Sequence, residues 1–344
     1  PAVGAVVLQD GKVVGQGYTQ PPGGPHAEVM ALREAGDKAK GSKLYVSLEP
    51  CPHHGRTPPC TEAIIASGVE EVFVSVLDPN PNVAGRGKKV LESAGIKVRI
   101  GAKGSKVVQE SNLLIEAYAK YITTGVPFVT VKFAASLDGK VATTTGKSRW
   151  ISDKDSLEVT HGLRSEADAV MVGIGTALKD DPRLTVRLKE HVDRQPVRIV
   201  VDSQGRLPSD AAMLAEEGLT ILATTEKPID GMATAPSPTV EVMKIPGSGQ
   251  MVDLPKLMRQ LGDRGISSIL VEGGGTLVGG LFDRGLVDKV IAFIAPIIIG
   301  GATAPSAVEG QGIDLIAHSW SLRDSRYELL SKDIMVTGYP VKEE

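Results

Sequence analysis

The 344-residue chain has few cysteines, few aromatic residues and little net charge. Two cysteines cannot form the disulfide scaffold of a secreted protein of this length. Aromatic residues make up 4% and the formal net charge is −3, which argues against a basic, stacking surface for nucleic acid. The longest uncharged apolar run, 290–299, is far shorter than the roughly 20 residues of a membrane span. We therefore expect a cytoplasmic protein with neither a nucleic-acid nor a membrane partner.

Along the chain, strand patterns alternate with helix patterns, which predicts an α/β protein. The length fits two domains, and the pattern restarts after a turn-rich segment, so we predict domains over 1–122 and 126–344. Three local expectations are a helix starting at Thr61 as N-cap, one helix over 111–121 and one late strand over 327–339. Because a strand-like segment follows Pro1 almost at once, we also expect an N-terminal helix to be missing from the chain.

A metal-ligand pattern stands out in the first half. His26-Ala27-Glu28 precedes a helical stretch, and Cys51 and Cys60 both precede the next one. One imidazole and two thiolates can hold a tetrahedral Zn²⁺ and leave a fourth position for water, whose pKa the metal lowers to about 7. Glu28 would then move protons, as in zinc deaminases. The alternative, two buried thiols and a capping imidazole, does not explain why both cysteines fall at loop-to-helix junctions.

The segments 1–7, 50–60 and 78–87 resemble the deaminase domain of the bifunctional riboflavin-biosynthesis deaminase/reductase family. The resemblance implies a cytidine-deaminase-like three-layer domain. It also implies that His53, Arg56, Asp78 and Asn80 bind the substrate. For Asp78 and Asn80 the alternative is plain turn chemistry, since Asp-Pro-Asn-Pro is also a turn sequence.

The segments 128–140, 146–152, 168–176, 180–187 and 270–276 resemble the reductase domain of the same family, which has a dihydrofolate-reductase-like fold. This resemblance implies NADPH as the cofactor. Glycine turns that follow strands let backbone N–H groups approach a pyrophosphate. The predicted cofactor-binding residues are Gly173, Gly175, Ser203, Gly273, Gly274, Gly275 and Thr276. Ser203 would bind a 2′-phosphate, and its alternative is a turn role.

The same resemblance places a phosphorylated substrate beside the cofactor. Lys132 and Asp180 are the predicted catalytic residues, which orient and protonate the substrate. The predicted substrate-binding residues are Ser148, Trp150, Arg164, Thr176, Leu184, Arg187 and Glu272. The alternative for either arginine is a solvated surface residue, and for Glu272 it is bracing of the glycine turn.

The two resemblances together imply zinc-dependent deamination of a diamino(ribosylamino)pyrimidinone 5′-phosphate, followed by NADPH reduction of its ribosyl group to ribityl. We also expect a homodimer or homotetramer. Two other functions stay open at this point. A nucleoside or nucleic-acid deaminase would need a basic face, and a module that only binds dinucleotide would transfer no hydride.

Overall fold

The computed structural model describes residues 1–55, 57–149, 151–188, 194–225 and 239–342. Arg56 and Trp150, both predicted to bind substrate, lie outside the described residues. The chain forms two compact units, Pro1–Thr124 and Gly125–Glu344. Within the described ranges, none of the helices has the length and apolar character needed to cross a membrane.

The 1–124 unit is built on a five-stranded sheet with the order β2-β1-β3-β4-β5. Strand β1 is antiparallel to β2 and β3, whereas β3, β4 and β5 are parallel. Its strands are β1 (Gly4–Gln9), β2 (Lys12–Tyr18), β3 (Lys43–Leu48), β4 (Glu71–Val76) and β5 (Lys97–Ile100). Its helices are α1 (Ala27–Ala35), α2 (Cys60–Ser67), α3 (Arg86–Ser93), α4 (Lys106–Leu114) and α5 (Glu116–Thr124).

Alternation along the strands separates the two faces of this sheet. Leu44 and Val46 of β3 lie in the apolar core together with Ala27 and Ala31 of α1. The intervening Tyr45 lies on the other face and stacks on the ring of Phe73, with ring centroids 4.4 Å apart. The face that carries α1 is therefore the buried face of β3.

The 125–344 unit is built on a nine-stranded sheet with the order β10-β9-β8-β7-β11-β6-β12-β14-β13. The pairs β12–β14 and β13–β14 are antiparallel, and the other neighbours are parallel. Its helices are α6 (Lys154–Glu166), α7 (Ile174–Asp180), α8 (Leu254–Asp263) and α9 (Gly275–Phe282). Its strands are β6 (Phe128–Ser136), β7 (Ala169–Gly173), β8 (Val197–Val201), β9 (Thr220–Thr224), β10 (Val240–Lys244), β11 (Ser268–Val271), β12 (Lys289–Ala295), β13 (Trp320–Leu330) and β14 (Asp333–Lys342).

Both faces of the central parallel strands of this larger sheet are buried. Val129 and Met171 belong to one apolar cluster, and Val170 and Leu270 belong to another. Because parallel strands expose their carboxyl ends at one edge, the turns that follow β7 and β11 are neighbours. The sheet thereby brings together glycine turns that lie about a hundred residues apart in the sequence.

Three local predictions were wrong. The helix predicted over 111–121 is two helices, which meet at Ile115, where the backbone leaves helical geometry with a φ of −110°. Helix α2 begins at Cys60 after Pro59, and the Thr61 hydroxyl donates to the Cys51 carbonyl (3.4 Å) instead of capping. The strand predicted over 327–339 is the β13–β14 hairpin, which turns at Ser331 with a φ of 54°.

The turn after β6 is held by one carboxylate. Asp138 accepts hydrogen bonds from the Ser136 hydroxyl (2.6 Å) and from the backbone N–H groups of Ile299 (3.0 Å) and Gly300 (2.7 Å). These bonds lower the pKa of Asp138 to about 2. The carboxylate therefore ties the 136–140 turn to the loop that follows β12.

We predict that Asp138→Asn makes the unit less sensitive to acid. A carboxyl with a depressed folded-state pKa stabilises the fold above its unfolded pKa of about 3.9, and this contribution is lost as the pH falls toward 2. Both tryptophans, Trp150 and Trp320, belong to this unit, so their fluorescence can follow its denaturation. The variant should lose less stability than the wild-type chain between pH 4 and pH 2. The exposed control Asp263→Asn should lose as much stability as the wild-type chain over this pH range. An equal loss for Asp138→Asn would contradict the assignment.

Candidate active sites

Three ligand atoms converge on the face of the 1–124 unit that carries α1. His26 immediately precedes α1, Cys60 is the first residue of α2, and Cys51 lies in the loop after β3. The His26 Nδ1 atom lies 3.1 Å from the Cys60 Sγ atom and 3.6 Å from the Cys51 Sγ atom. The three ligand atoms all lie within 4.8 Å of one another. The structure therefore brings together all three predicted ligands.

This cluster fits a zinc ion. With Zn–S bonds of about 2.3 Å and Zn–N bonds of about 2.0 Å, tetrahedral ligands lie about 3.5 Å apart. The two distances from the His26 Nδ1 atom bracket that value. Two thiols and one imidazole are also a donor set that zinc prefers. The site can thus hold zinc with three protein ligands and an open fourth position.

The electrostatics around the cluster favour a thiolate. A hydrogen bond from the Cys60 thiol and another from the His26 ring lower the pKa of Cys51 to about 4, although burial alone would raise it. The Cys60 backbone N–H also donates to the Cys51 sulfur (3.3 Å). Glu28, in the first turn of α1, is 4% exposed, and burial raises the pKa of its carboxyl. A buried carboxyl with a raised pKa is typical of a proton-transfer group.

One residue of this site was missed by sequence reasoning. The Thr57 hydroxyl lies 3.3 Å from the His26 Nε2 atom, the ring nitrogen that faces away from the thiols. A partner at the second nitrogen fixes the tautomer and the orientation of a metal-binding imidazole. The only signal in the sequence is the position of Thr57 between the two cysteines.

The predicted substrate-binding residues of this unit differ in their surroundings. His53 is exposed on the loop between the cysteines. Asp78 is buried, and its carboxylate accepts from the Asn80 backbone N–H (2.8 Å) and the Tyr118 hydroxyl (3.0 Å). The Asn80 side-chain oxygen accepts from the Asn82 N–H (3.0 Å). The turn chemistry of Asp78 and Asn80 is therefore present, and their contact with substrate stays a prediction.

The 125–344 unit contains a cavity of about 540 Å³ at the carboxyl ends of its parallel strands. Nine predicted residues line it: Lys132, Ser148, Thr176, Asp180, Arg187, Glu272, Gly273, Gly274 and Gly275. The sequence did not single out Arg149, Ser152 and Ala307, which also line it. Burial lowers the pKa of Lys132, whose Nζ atom lies 5.4 Å from the centre of the Phe293 ring.

Two glycine turns meet at the edge of this cavity. The Gly173 N–H donates to the Gly273 carbonyl (2.9 Å), which joins the turn after β7 to the turn after β11. Gly275 is the first residue of α9, and a Cβ atom on it would lie 2.5 Å from the Ser306 carbonyl oxygen. Glycine is therefore required here, because the loop that carries Ser306 passes close to the start of α9. The N-terminus of α9 follows directly, and its free N–H groups suit a phosphate.

An ion pair forms part of the cavity wall through Glu272. Arg164 binds Glu272 in a bidentate manner, with Nε–Oε1 and Nη2–Oε2 distances of 2.5 and 2.9 Å, and its Nη1 donates to the Thr185 carbonyl (2.8 Å). Burial alone would raise the pKa of Glu272, but the hydrogen bonds from Arg164 hold it below its ordinary value. The interpretation of Arg164 as a solvated surface residue is therefore wrong, because its guanidinium is buried and hydrogen-bonded to the Glu272 carboxylate.

Three other predicted residues have different partners from those expected. Leu184 packs its side chain in an apolar cluster, so only its backbone is available to a ligand. The Ser203 hydroxyl accepts the Val252 N–H (3.1 Å), and Ser203 does not line the cavity. Thr276 donates its hydroxyl to Glu309 (2.8 Å). The turn role that was the alternative for Ser203 is therefore present, and its contact with the cofactor stays a prediction.

Comparison with known proteins agrees with this geometry. The family model described as the RibD C-terminal domain matches residues 127–336. The cytidine and deoxycytidylate deaminase zinc-binding region matches residues 1–76. The riboflavin biosynthesis protein RibD of Aquifex aeolicus is 42% identical over 98% of this chain and 91% of its own length. The RibD of Escherichia coli is 44% identical over 87% of this chain and 83% of its own length.

Solved structures lead to the same family. The chain is 35% identical to a Thermotoga maritima diaminohydroxyphosphoribosylaminopyrimidine deaminase/5-amino-6-(5-phosphoribosylamino)uracil reductase, with a TM-score of 0.85 over 98% of this chain and 92% of that one. A RibD structure from Acinetobacter baumannii is 34% identical, with a TM-score of 0.84 over 98% and 92% of the two chains.

The two matches define a zinc-dependent deaminase domain followed by a reductase domain. The chain belongs to the RibD family of bifunctional riboflavin-biosynthesis enzymes. This confirms the predicted family and the predicted fold class, a cytidine-deaminase-like domain and a dihydrofolate-reductase-like domain.

We predict that Thr57→Val weakens zinc binding by roughly 10- to 100-fold, because the His26 ring loses its second partner. Titration against a competing chelator measures the change. The control Thr57→Ser keeps the hydroxyl and should bind zinc as the wild-type chain does. Equal affinity for the valine variant and the wild type would show that Thr57 does not orient His26.

We predict that Arg164→Met destabilises the 125–344 unit by about 3 kcal/mol or more, because Glu272 is left as an unpaired buried charge. The double variant Arg164→Met/Glu272→Met should recover most of this loss. Urea denaturation followed by tryptophan fluorescence measures the free energy of unfolding. A double variant no more stable than the single one would mean that the ion pair is not the source of the effect.

Proposed function

We propose that this chain catalyses two successive steps of riboflavin biosynthesis. Its 1–124 unit deaminates a diamino(ribosylamino)pyrimidinone 5′-phosphate by hydrolysis, and its 125–344 unit reduces the ribosyl group of the product to ribityl with NADPH. The observation that carries the proposal is the pairing, in one chain, of a His-Cys-Cys metal cluster with a cavity lined by Lys132, Asp180 and the glycine turn. The names of the relatives support the same pair of activities.

In the deaminating unit, His26, Cys51 and Cys60 would hold the zinc ion. Bound zinc supplies Lewis acidity, which makes water a nucleophile at neutral pH. Glu28 is buried next to the cluster and has a raised pKa, so its carboxyl can hold the proton taken from water and pass it to the leaving amine. Asp78 and Asn80 would contact the ribose, and His53 and Arg56 the polar ring and the phosphate.

In the reducing unit, bound NADPH would supply the hydride chemistry that the reduction needs. The turn formed by Gly273, Gly274 and Gly275 and the N-terminus of α9 would hold its phosphates. Asp180 and Lys132 face the same cavity and would orient and protonate the substrate. Arg187, which also lines the cavity, would bind the substrate phosphate, whereas Arg164 acts by fixing Glu272.

We further propose that the enzyme is a cytoplasmic homodimer or homotetramer. Apolar side chains exposed on the segment after β12 and on β13 support an assembly, with Ile298 69% and Leu329 74% exposed. Sedimentation velocity of the purified chain measures the state directly.

We predict that Glu28→Gln and Asp180→Asn separate the two activities. Removing the proton-transfer carboxyl of Glu28 should lower the rate of ammonia release by about 10²–10⁴-fold. The same variant should oxidise NADPH normally when supplied with the deaminated intermediate. Asp180→Asn should release ammonia normally and lose NADPH oxidation.

Each variant is thus the other's control, and zinc content by metal analysis verifies that Glu28→Gln keeps its metal. Normal ammonia release by the zinc-loaded Glu28→Gln chain would contradict the role of Glu28. NADPH oxidation at the wild-type rate by Asp180→Asn would contradict the role of Asp180.

A further inference from the structure

Glu49 is a buried carboxylate that the proposed chemistry does not use. It follows β3, lies two residues before Cys51 and is 3% exposed. Its Oε2 atom accepts the N–H groups of Asp78 (3.2 Å) and Gly85 (2.9 Å), and its Oε1 atom accepts the N–H of Lys88 (3.0 Å). All three donors belong to one segment, 78–88, which lies about thirty to forty residues further along the chain.

The three bonds fix the entrance to α3. Gly85 precedes the helix with a φ of 83° and offers no side chain to cap it, and Lys88 lies in the first turn. The first N–H groups of a helix need partners, and its N-terminus favours a negative charge. Glu49 therefore supplies from another element the cap that the 78–88 segment cannot supply itself.

Close packing reinforces this attachment. A Cβ atom on Gly87 would lie 2.1 Å from the Pro50 carbonyl oxygen and 3.1 Å from the Glu49 Cγ atom. Only glycine can bring the helix backbone so close to the peptide that precedes Cys51. The 78–88 segment is thus seated directly on the loop that carries a zinc ligand.

The same segment begins with the two predicted ribose contacts. Asp78 donates its backbone N–H to Glu49, and its side chain is set by Asn80 and Tyr118. A shift of the segment away from Glu49 would therefore move Asp78 and Asn80 relative to the cysteine loop.

We propose that Glu49 is a positioning residue for the deamination: it holds the substrate-binding segment 78–88 in register with the zinc-ligand loop. Its oxygens are engaged with backbone donors, so it is assigned no contact with substrate. The proposal rests on the proposed function of the 1–124 unit.

The test is Glu49→Gln in the full-length, zinc-loaded chain. A glutamine keeps the shape, but its amide nitrogen cannot accept an N–H, so at least one of the three bonds is lost. Losing one charge-assisted bond should raise the KM for deamination roughly tenfold, with little change in kcat. Zinc content and NADPH oxidation of supplied intermediate should equal those of the wild type. The matched control Glu71→Gln removes another buried carboxylate, at the first residue of β4, whereas Glu49 lies beside the last residue of that strand. This control should leave the KM unchanged.

An unchanged KM for Glu49→Gln, an equal rise for Glu71→Gln, or a loss of zinc from Glu49→Gln would each overturn the proposal. If Glu49→Gln fails to fold, Gly87→Ala tests the same attachment from the helix side, since its Cβ would push α3 away from Pro50. A rise in its KM with zinc retained supports the proposal, and a wild-type KM overturns it. A wild-type chain that releases no ammonia would instead refute the proposed function.

Discussion

Two helices that begin next to each other determine the metal centre of this protein. His26 directly precedes α1 and Cys60 starts α2, so an imidazole and a thiol meet where both helices have free N–H groups. Helix N-termini favour thiolates, and Cys51 completes the set from the loop that follows β3. The position of Glu28 follows from the same constraint, because the first turn of α1 places it in the interior beside the cluster. The segment held by Glu49 is then fixed relative to Cys51.

The reductase half obtains its site in a different way, from the edge of a parallel sheet. Strands β7 and β11 are neighbours, and the Gly173–Gly273 hydrogen bond joins the turns that follow them. The Arg164–Glu272 pair fixes the Glu272 carboxylate at the wall of the cavity. Because both charged groups are buried and paired, they hold this part of the wall in one arrangement. The cavity is therefore shaped by contacts between residues far apart in sequence.

That difference explains what could be predicted from the sequence. The zinc ligands and Glu28 were predictable because they fall in two short motifs, 26–28 and 51–60, and each motif lies at the start of a helix. The Arg164–Glu272 pair joins residues 108 positions apart, and the three N–H donors to Glu49 have no side-chain signature, so neither contact is visible in the sequence. The helix break at Ile115 was also missed, since the apolar pattern runs through this residue without a glycine or proline to mark the break.

This chain is proposed to deaminate its substrate and then to reduce the product. The most direct measurement follows ammonia and NADPH together during incubation of the purified, zinc-loaded chain with the diamino substrate. We expect ammonia release without NADPH, and one NADPH oxidised for each ammonia released once NADPH is added. NADPH oxidation that precedes or exceeds ammonia release, or ammonia release that is never followed by NADPH oxidation, would contradict this proposal.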